Sequence, residues 1–218
     1  MPLQGTIEAA PDGALGFDTN TTLSFAKAQQ FRNDDFRFCL RYLSLGNGQK
    51  PGDLTTAEAD AILRAGLALM PVQHVRFPGW TPTAPLGTQT GKNAAHNAVQ
   101  VGFPPGVNVW LDWEGADPQT SVANAIAYCN NWFDEVKAAG YVPGIYVGFN
   151  AILNSQQLYQ KLKFQHYWKA GGNIPDIAVR GYQMIQKIPL DQSLHGIQID
   201  RDTTRADNKG GQALWITR

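Results

Sequence analysis

Val107-Asn108-Val109-Trp110-Leu111-Asp112-Trp113-Glu114 is an apolar run, rich in β-branched and aromatic residues, that closes on two acids. Such a run reads as a strand buried on both faces. Asp117-Pro118 follows, an N-cap residue and then proline where a helix begins. Ser121–Ala139 then carries helical periodicity, Gly140 stands where a C-cap glycine belongs, and Gly144–Phe149 is apolar again. Strand, helix and strand in that order form a parallel β–α–β unit.

The same alternation extends in both directions. Further strands are expected at Leu15–Asp18, Phe36–Leu43, Ala68–Gln73, Phe164–Trp168, Gly181–Ile185 and Gly196–Asp200. Helices are expected at Leu23–Phe31, Thr55–Ala65 and Gly91–Val101, with Thr55 and Glu58 spaced as a capping box. Val75–Gln89 holds Pro78, Pro82 and Pro85 and reads as a long loop after the third strand. Eight strands with helices between them predict an α/β fold, a (β/α)8 TIM barrel, formed by residues 1–218 as one domain. The chain is near the lower length limit for that fold, so helices on the later strands are expected to be short or missing. An open doubly wound sheet is the competitor, but no glycine-rich phosphate loop follows the first strand.

Composition narrows the function. Eighteen basic residues balance eighteen acidic ones, so nothing favours binding of nucleic acid through phosphates. The longest apolar stretch, Ala65–Val72, is interrupted by Gly66 and Pro71 and falls far short of the ~20 residues that cross a bilayer, so no membrane insertion is expected. Met-Pro-Leu-Gln-Gly-Thr-Ile-Glu shows neither a basic nor an apolar segment of a Sec signal. Cys39 and Cys129 lie in apolar patterns and read as core residues made in a reducing compartment.

Barrel enzymes carry their chemistry at the C-terminal ends of the strands. Three of the expected ends are acidic: Gly16-Phe17-Asp18, Asp112-Trp113-Glu114 and Gln198-Ile199-Asp200, followed by Arg201-Asp202. Asp112 and Glu114 are two apart and leave one face of their strand. The first and eighth strands of a closed barrel are neighbours, which brings Asp18 beside Asp200. Carboxyls crowded into one cavity cannot all ionise, and a raised pKa makes one of them a general acid. This suits glycoside hydrolysis. Helix capping and a divalent-metal site are the competing readings of the acids.

In this order and spacing the residues resemble the family 25 glycoside hydrolases, the Chalaropsis-type lysozymes, and a related group of bacterial glycoside hydrolase-like domains of unknown function. The resemblance runs from Leu15 to Trp215 and rests on Gly16-Phe17-Asp18, Asp112-x-Glu114, Gly144-Ile145-Tyr146-Val147-Gly148, Tyr167-Trp168-Lys169-Ala170, Gly181-Tyr182-Gln183 and Gln198-x-Asp200. It is strengthened by Gly102-Phe103-Pro104-Pro105-Gly106 ahead of the acidic strand. It implies that Glu114 protonates the glycosidic oxygen and that Asp112 stabilises the charged intermediate or orients an acetamido group. Asp18 and Asp200 would tune these groups, Tyr146 and Gln183 would bond the sugar ring, and Trp168 and Gln198 would contact it. The implied substrate is peptidoglycan, with no cofactor. A barrel that binds glycan with little or no catalysis is the alternative. Asp18-Thr19-Asn20-Thr21 departs from the lysozyme pattern after the first acid, and Arg201-Asp202 offers an internal pair that would neutralise part of the field. Action at the wall without a Sec signal implies a holin-type or specialised export route.

Other residues have their own readings. Arg41 either points toward Asp18 or ends its strand at the surface. Trp80, in the proline-rich stretch, is the best candidate for stacking on a sugar, whereas Trp113, Trp132 and Trp215 read as core. The four histidines lack metal-ligand spacing, and no metal site is expected; His74, at a strand end, has access to the cavity. No Gly-x-Ser-x-Gly elbow is present, and Asn208-Lys209-Gly210-Gly211 reads as a turn rather than a phosphate site.

Overall fold

The computed structural model describes residues 2–218. Eight strands close a barrel: β2 (Leu15–Thr19), β3 (Phe38–Leu43), β4 (Ala68–Gln73), β5 (Asn108–Trp113), β6 (Val142–Val147), β7 (His166–Lys169), β8 (Met184–Gln186) and β10 (Ile197–Thr204). β2 to β8 are mutually parallel, and β10 runs antiparallel to both of its neighbours, β8 and β2. β1 (Thr6–Ala9) and β11 (Leu214–Thr217) pair with each other outside the barrel, and Ile216 of β11 adjoins Leu69 near the start of β4. β9 (Gln192–Leu194) forms a hairpin with β10.

Helices α1 (Phe25–Asn33), α2 (Thr56–Arg64), α3 (Ala84–Val101), α4 (Val122–Ala138) and α5 (Ser155–Lys161) join the first six barrel strands. The barrel expectation is met, and the shortened later half is explicit: no helix joins β7, β8 and β10 among the described residues. An all-parallel barrel is corrected at its last strand. Only Lys187–Gly196 separates β8 from β10, and a parallel crossover takes about a dozen residues or more, usually with a helix. The chain therefore turns back.

Local signals explain the helix ends. Ser24, Thr55, Thr83 and Ser121 each accept a backbone N–H with the side chain, and Asn154 and Gln157 form a reciprocal capping box. Thr83 and Pro85 start α3 earlier than the expected loop allowed, because proline is tolerated in a first helical turn. Asp117 does not cap α4: its Oδ1 accepts from Gln119 N–H at 2.9 Å, and the helix begins at Ser121. Gly87 and Gly91 let α3 lie against the backbone of α4 at Tyr128 and Trp132.

The barrel interior and the helix layer form one core, with Trp110, Trp113, Trp132 and Trp168 fully buried. Trp110 lies over Gly144, whose lack of a Cβ makes room for the indole, and meets Trp168 edge-on at 6.0 Å. Cys39 and Cys129 are buried free thiols. No described helix is long and apolar enough to cross a membrane.

Candidate active site

The expected acids converge at the C-terminal mouth of the parallel strands. Asp18, next to last in β2, stands opposite Asp200 in the β2–β10 ladder. Asp112 faces inward from β5, and Glu114 follows just beyond that strand's end. Asp18, Asp112 and Asp200 line a cleft of about 400 Å³ together with Tyr42, His74, Asp191 and Gln198.

Because β10 runs backwards, it brings a further acid to the site. Asp202, two residues beyond Asp200 and on the same face, is fully buried one step deeper, opposite Gly16. Its Oδ1 accepts from Trp168 Nε1 at 2.8 Å, and its Oδ2 has no hydrogen-bond donor. The expected Arg201–Asp202 pair is not made, since adjacent strand residues point to opposite faces; the Arg201 guanidinium lies over the ring of Phe36 instead.

Gln186, at the end of β8, organises these acids. Its Oε1 accepts from Tyr146 Oη at 3.1 Å and from Gly171 N–H at 3.0 Å. Its Nε2 donates to Asp18 Oδ2 at 2.9 Å and to Asp200 Oδ2 at 3.3 Å. Two donors at one end of the amide fix which end faces the carboxylates. Tyr42 Oη donates to the other Asp18 oxygen at 3.3 Å, and Asp191 N–H to Asp200 Oδ1 at 2.5 Å.

Burial dominates the electrostatics. It raises Asp18 to about 7, assisted by the charge of Asp200 and opposed by the bond from Gln186. It raises Glu114 to about 7 as well, with the backbone of Phe149 pulling the other way. Asp112 and Asp202 are pushed well above the carboxylate range, first by burial and then by neighbouring acids. Asp112 Oδ1 is buried without a partner. Burial raises Asp200 as well, against the bond from Asp191 N–H.

The backbone of Glu114 is pinned. Its carbonyl accepts from Trp80 Nε1 at 3.0 Å, the next N–H donates to Phe149 O at 2.8 Å, and its side chain lies against Gly148. Trp80 is therefore a buried support, packed edge-on against Trp113 and Tyr128, and not an exposed stacking surface. Trp168 is likewise buried, inside the barrel and level with Tyr146. Gln183 is corrected from sugar ligand to structural amide. It is fully buried, accepts from Tyr167 N–H at 2.6 Å and donates to Gln165 O and Asp207.

Arg41 also faces away from the cleft. It is fully buried in the helix layer, paired with Glu58 at 2.6 Å and bonded to the carbonyls of Thr19 and Gly52. This pairing takes Glu58 away from the expected capping box, of which only the Thr55 half is formed. Tyr146 lies among the acids, and Gln198 is exposed on the cleft wall. Tyr42 alternates with Arg41 and so points inward; His74 stacks on it at 4.5 Å and bonds Asp53 at 3.1 Å. Among the described residues, no His, Cys, Asp or Glu group has a metal-holding arrangement.

A closed barrel whose mouth gathers Asp18, Asp112, Glu114, Asp200 and Asp202 defines a glycoside hydrolase-like domain. The chain belongs to the Rv2525c-like, glycoside hydrolase-like domain family, whose model matches residues 29–204. Its fold resembles that of the Mycobacterium tuberculosis Tat-secreted protein Rv2525c in complex with L-tartrate. That pair has 16% identity and a TM-score of 0.65, with 93% of this chain and 99% of that one covered. A bacterial lysozyme from Streptomyces coelicolor matches at 16% identity and TM-score 0.58, covering 89% of this chain and 93% of its own. A family 25 glycosyl hydrolase from Bacillus anthracis matches at 10% identity and TM-score 0.60, with 91% of each chain covered. No curated protein matches the sequence.

Proposed function

We propose that the protein is a glycosidase that hydrolyses bacterial cell-wall glycan by muramidase-type cleavage. Glu114 donates its proton to the glycosidic oxygen, and Asp112 supports the charge that develops on the sugar ring. The observation that carries this reading is the placing of the Glu114 carboxyl just beyond the end of β5, packed against Gly148 among the other acids, where burial raises its pKa to about 7. An acid with a pKa near the working pH is both protonated and able to give up its proton. Tyr146, within the electrostatic reach of Glu114, Asp112 and Asp18, bonds the sugar, and Gln198 flanks it. The lysozymes of similar fold support the substrate class, and the Tat-secreted relative supports action outside the membrane after export.

One observation favours the second reading, a barrel that binds glycan with little turnover. Asp112 is pushed far up by burial and has an oxygen without a partner. A neutral Asp112 does not stabilise a cationic transition state; it must ionise when substrate binds.

Incubation with peptidoglycan sacculi, read by mass spectrometry of the released fragments beside Glu114→Gln, separates the two. New reducing-end muramic acid from the wild type alone supports the muramidase. Pelleting on sacculi without soluble product supports the binding barrel, and the absence of both cleavage and pelleting overturns both readings.

A further inference from the structure

The loop after β4 carries Arg76-Phe77-Pro78, none of which lines the acidic cleft. Phe77 is 94% exposed, an apolar ring held out in water. Arg76 beside it is half-buried, and its Nε is shut off from solvent without a hydrogen-bond partner. Among the described residues no carboxylate pairs with it. Arg41 and Arg180, by contrast, are each held by a carboxylate at 2.6 Å. Burying part of a guanidinium removes hydration, a loss that a counter-charge ordinarily offsets.

The three loop residues wall a cavity of about 610 Å³ together with Leu45, Val75 and Trp80. Small-ligand sites have volumes of roughly 300–1,000 Å³ and are mostly apolar, with a few polar groups that fix orientation. Here Arg76 is the one charged residue among apolar ones. Tyr128, whose ring packs on Trp80, feels the Arg76 charge at its buried hydroxyl, so the guanidinium is turned toward the Trp80 side of the loop. Both walls are fixed in advance. Asn93 Nδ2 donates to Leu45 O at 3.0 Å, Gly79 N–H to Gly115 O at 2.8 Å, and Asp117 N–H to Trp80 O at 2.8 Å. A preformed wall spares the ordering cost of binding.

We infer that this cavity binds a small organic acid, its carboxylate on the Arg76 guanidinium and its apolar body against Phe77 and Pro78. The guanidinium fork matches the two oxygens of a carboxylate. A phosphate carries further oxygens, and the cavity has no second side-chain donor for them, since the Trp80 indole N–H is already given to Glu114 O. An uncharged apolar ligand would fill the space and leave the guanidinium without its counter-charge. The site does not depend on the glycosidase reading, because none of the five acids at the mouth lines it.

The test titrates ¹⁵N-labelled full-length protein at pH 7 with 3-phenylpropionate and, separately, with its neutral amide, 3-phenylpropionamide, and with inorganic phosphate. The acid should bind with roughly millimolar affinity and shift the amide signals of Leu45, Val75, Arg76, Phe77 and Trp80. The neutral amide should bind about tenfold more weakly, as should the acid to Arg76→Gln, and Arg76→Lys should recover part of that loss. Phe77→Ala should weaken the acid severalfold, and phosphate should leave these signals unmoved. Arg76→Gln should melt no lower than the wild type, since no protein partner is lost with the guanidinium. Equal affinity for acid and amide, shifts that spare 75–80, or equal shifts with phosphate overturn the site. Binding that Arg76→Gln leaves intact also overturns it, and a lower melting midpoint in that variant would mean that Arg76 serves the fold instead.

Discussion

Gln186 Nε2 and Asp18 Oδ2 stand 2.9 Å apart, joining the last parallel strand to the first barrel strand across β10. The donor lowers the Asp18 pKa against the pull of burial. Removing one partner from a buried bond to an ionisable group costs about 1.5–3 kcal/mol. Gln186→Leu should lower the melting temperature by roughly 3–10 °C at pH 8. The loss should be smaller at pH 5, where Asp18 is protonated. Equal losses at both pH values would refute this account of the amide.

Stability should fall as pH rises. Asp18 titrates at about 7 in the folded protein and near 3.9 when unfolded, so the folded state binds more protons between those values. The stabilisation is fully present below about pH 4 and is lost as pH rises through about 7. Asp202 adds to it in the same direction. Thermal melts from pH 4 to 8 should show a falling midpoint, with a shallower slope in Asp18→Asn and Asp202→Asn.

Hydrolysis of cell-wall glycan should lose about tenfold per pH unit above the Glu114 pKa of about 7, because only the protonated acid acts. A kcat profile on solubilised peptidoglycan checks this. A limb centred near pH 4.5 would argue against Glu114 as the acid.

Arg41 and Glu58 form a buried pair in the helix layer, facing away from the cleft. Glu58→Gln leaves a buried guanidinium without its counter-charge, which costs about 3–5 kcal/mol. A large drop in the urea midpoint is expected, with kcat little changed at a temperature where the variant is folded. A selective loss of kcat would return Arg41 to the site.

At Gly87 a methyl group would collide with the backbone carbonyl of Tyr128. Gly87→Ala should destabilise by about 1–3 kcal/mol through overpacking, despite its better helix propensity. A stabilised variant would mean that α3 and α4 separate at little cost.

The first half of the barrel was legible because β3, β4 and β5 are buried apolar runs between helices with side-chain caps. The later strands were harder. β9 and β10 are polar and partly exposed, and their direction follows from connection length, which composition does not encode. The four expected acids were legible as acids at strand ends. Asp202 was missed because a parallel eighth strand would end at Asp200. Gln186 lies one residue past the expected end of its strand, so Gln183 was favoured; three residues apart, the two leave opposite faces. Alternation could have found Tyr42, since Leu40 and Tyr42 share one face and Arg41 the other. Trp80 and Phe77 are both aromatics of the proline-rich stretch, but only packing tells that Trp80 is buried and Phe77 94% exposed.

The pairing of Thr6–Ala9 with Leu214–Thr217, set against the start of β4, has a practical corollary. Both ends of the described chain leave from the floor of the barrel, on the side away from Asp18 and Glu114. A fluorescent protein, an affinity handle or a surface tether fused at either end would therefore hang behind the molecule. Immobilised that way, the barrel would point its open mouth outward at an insoluble polymer, an orientation suited to digesting or gripping a solid wall.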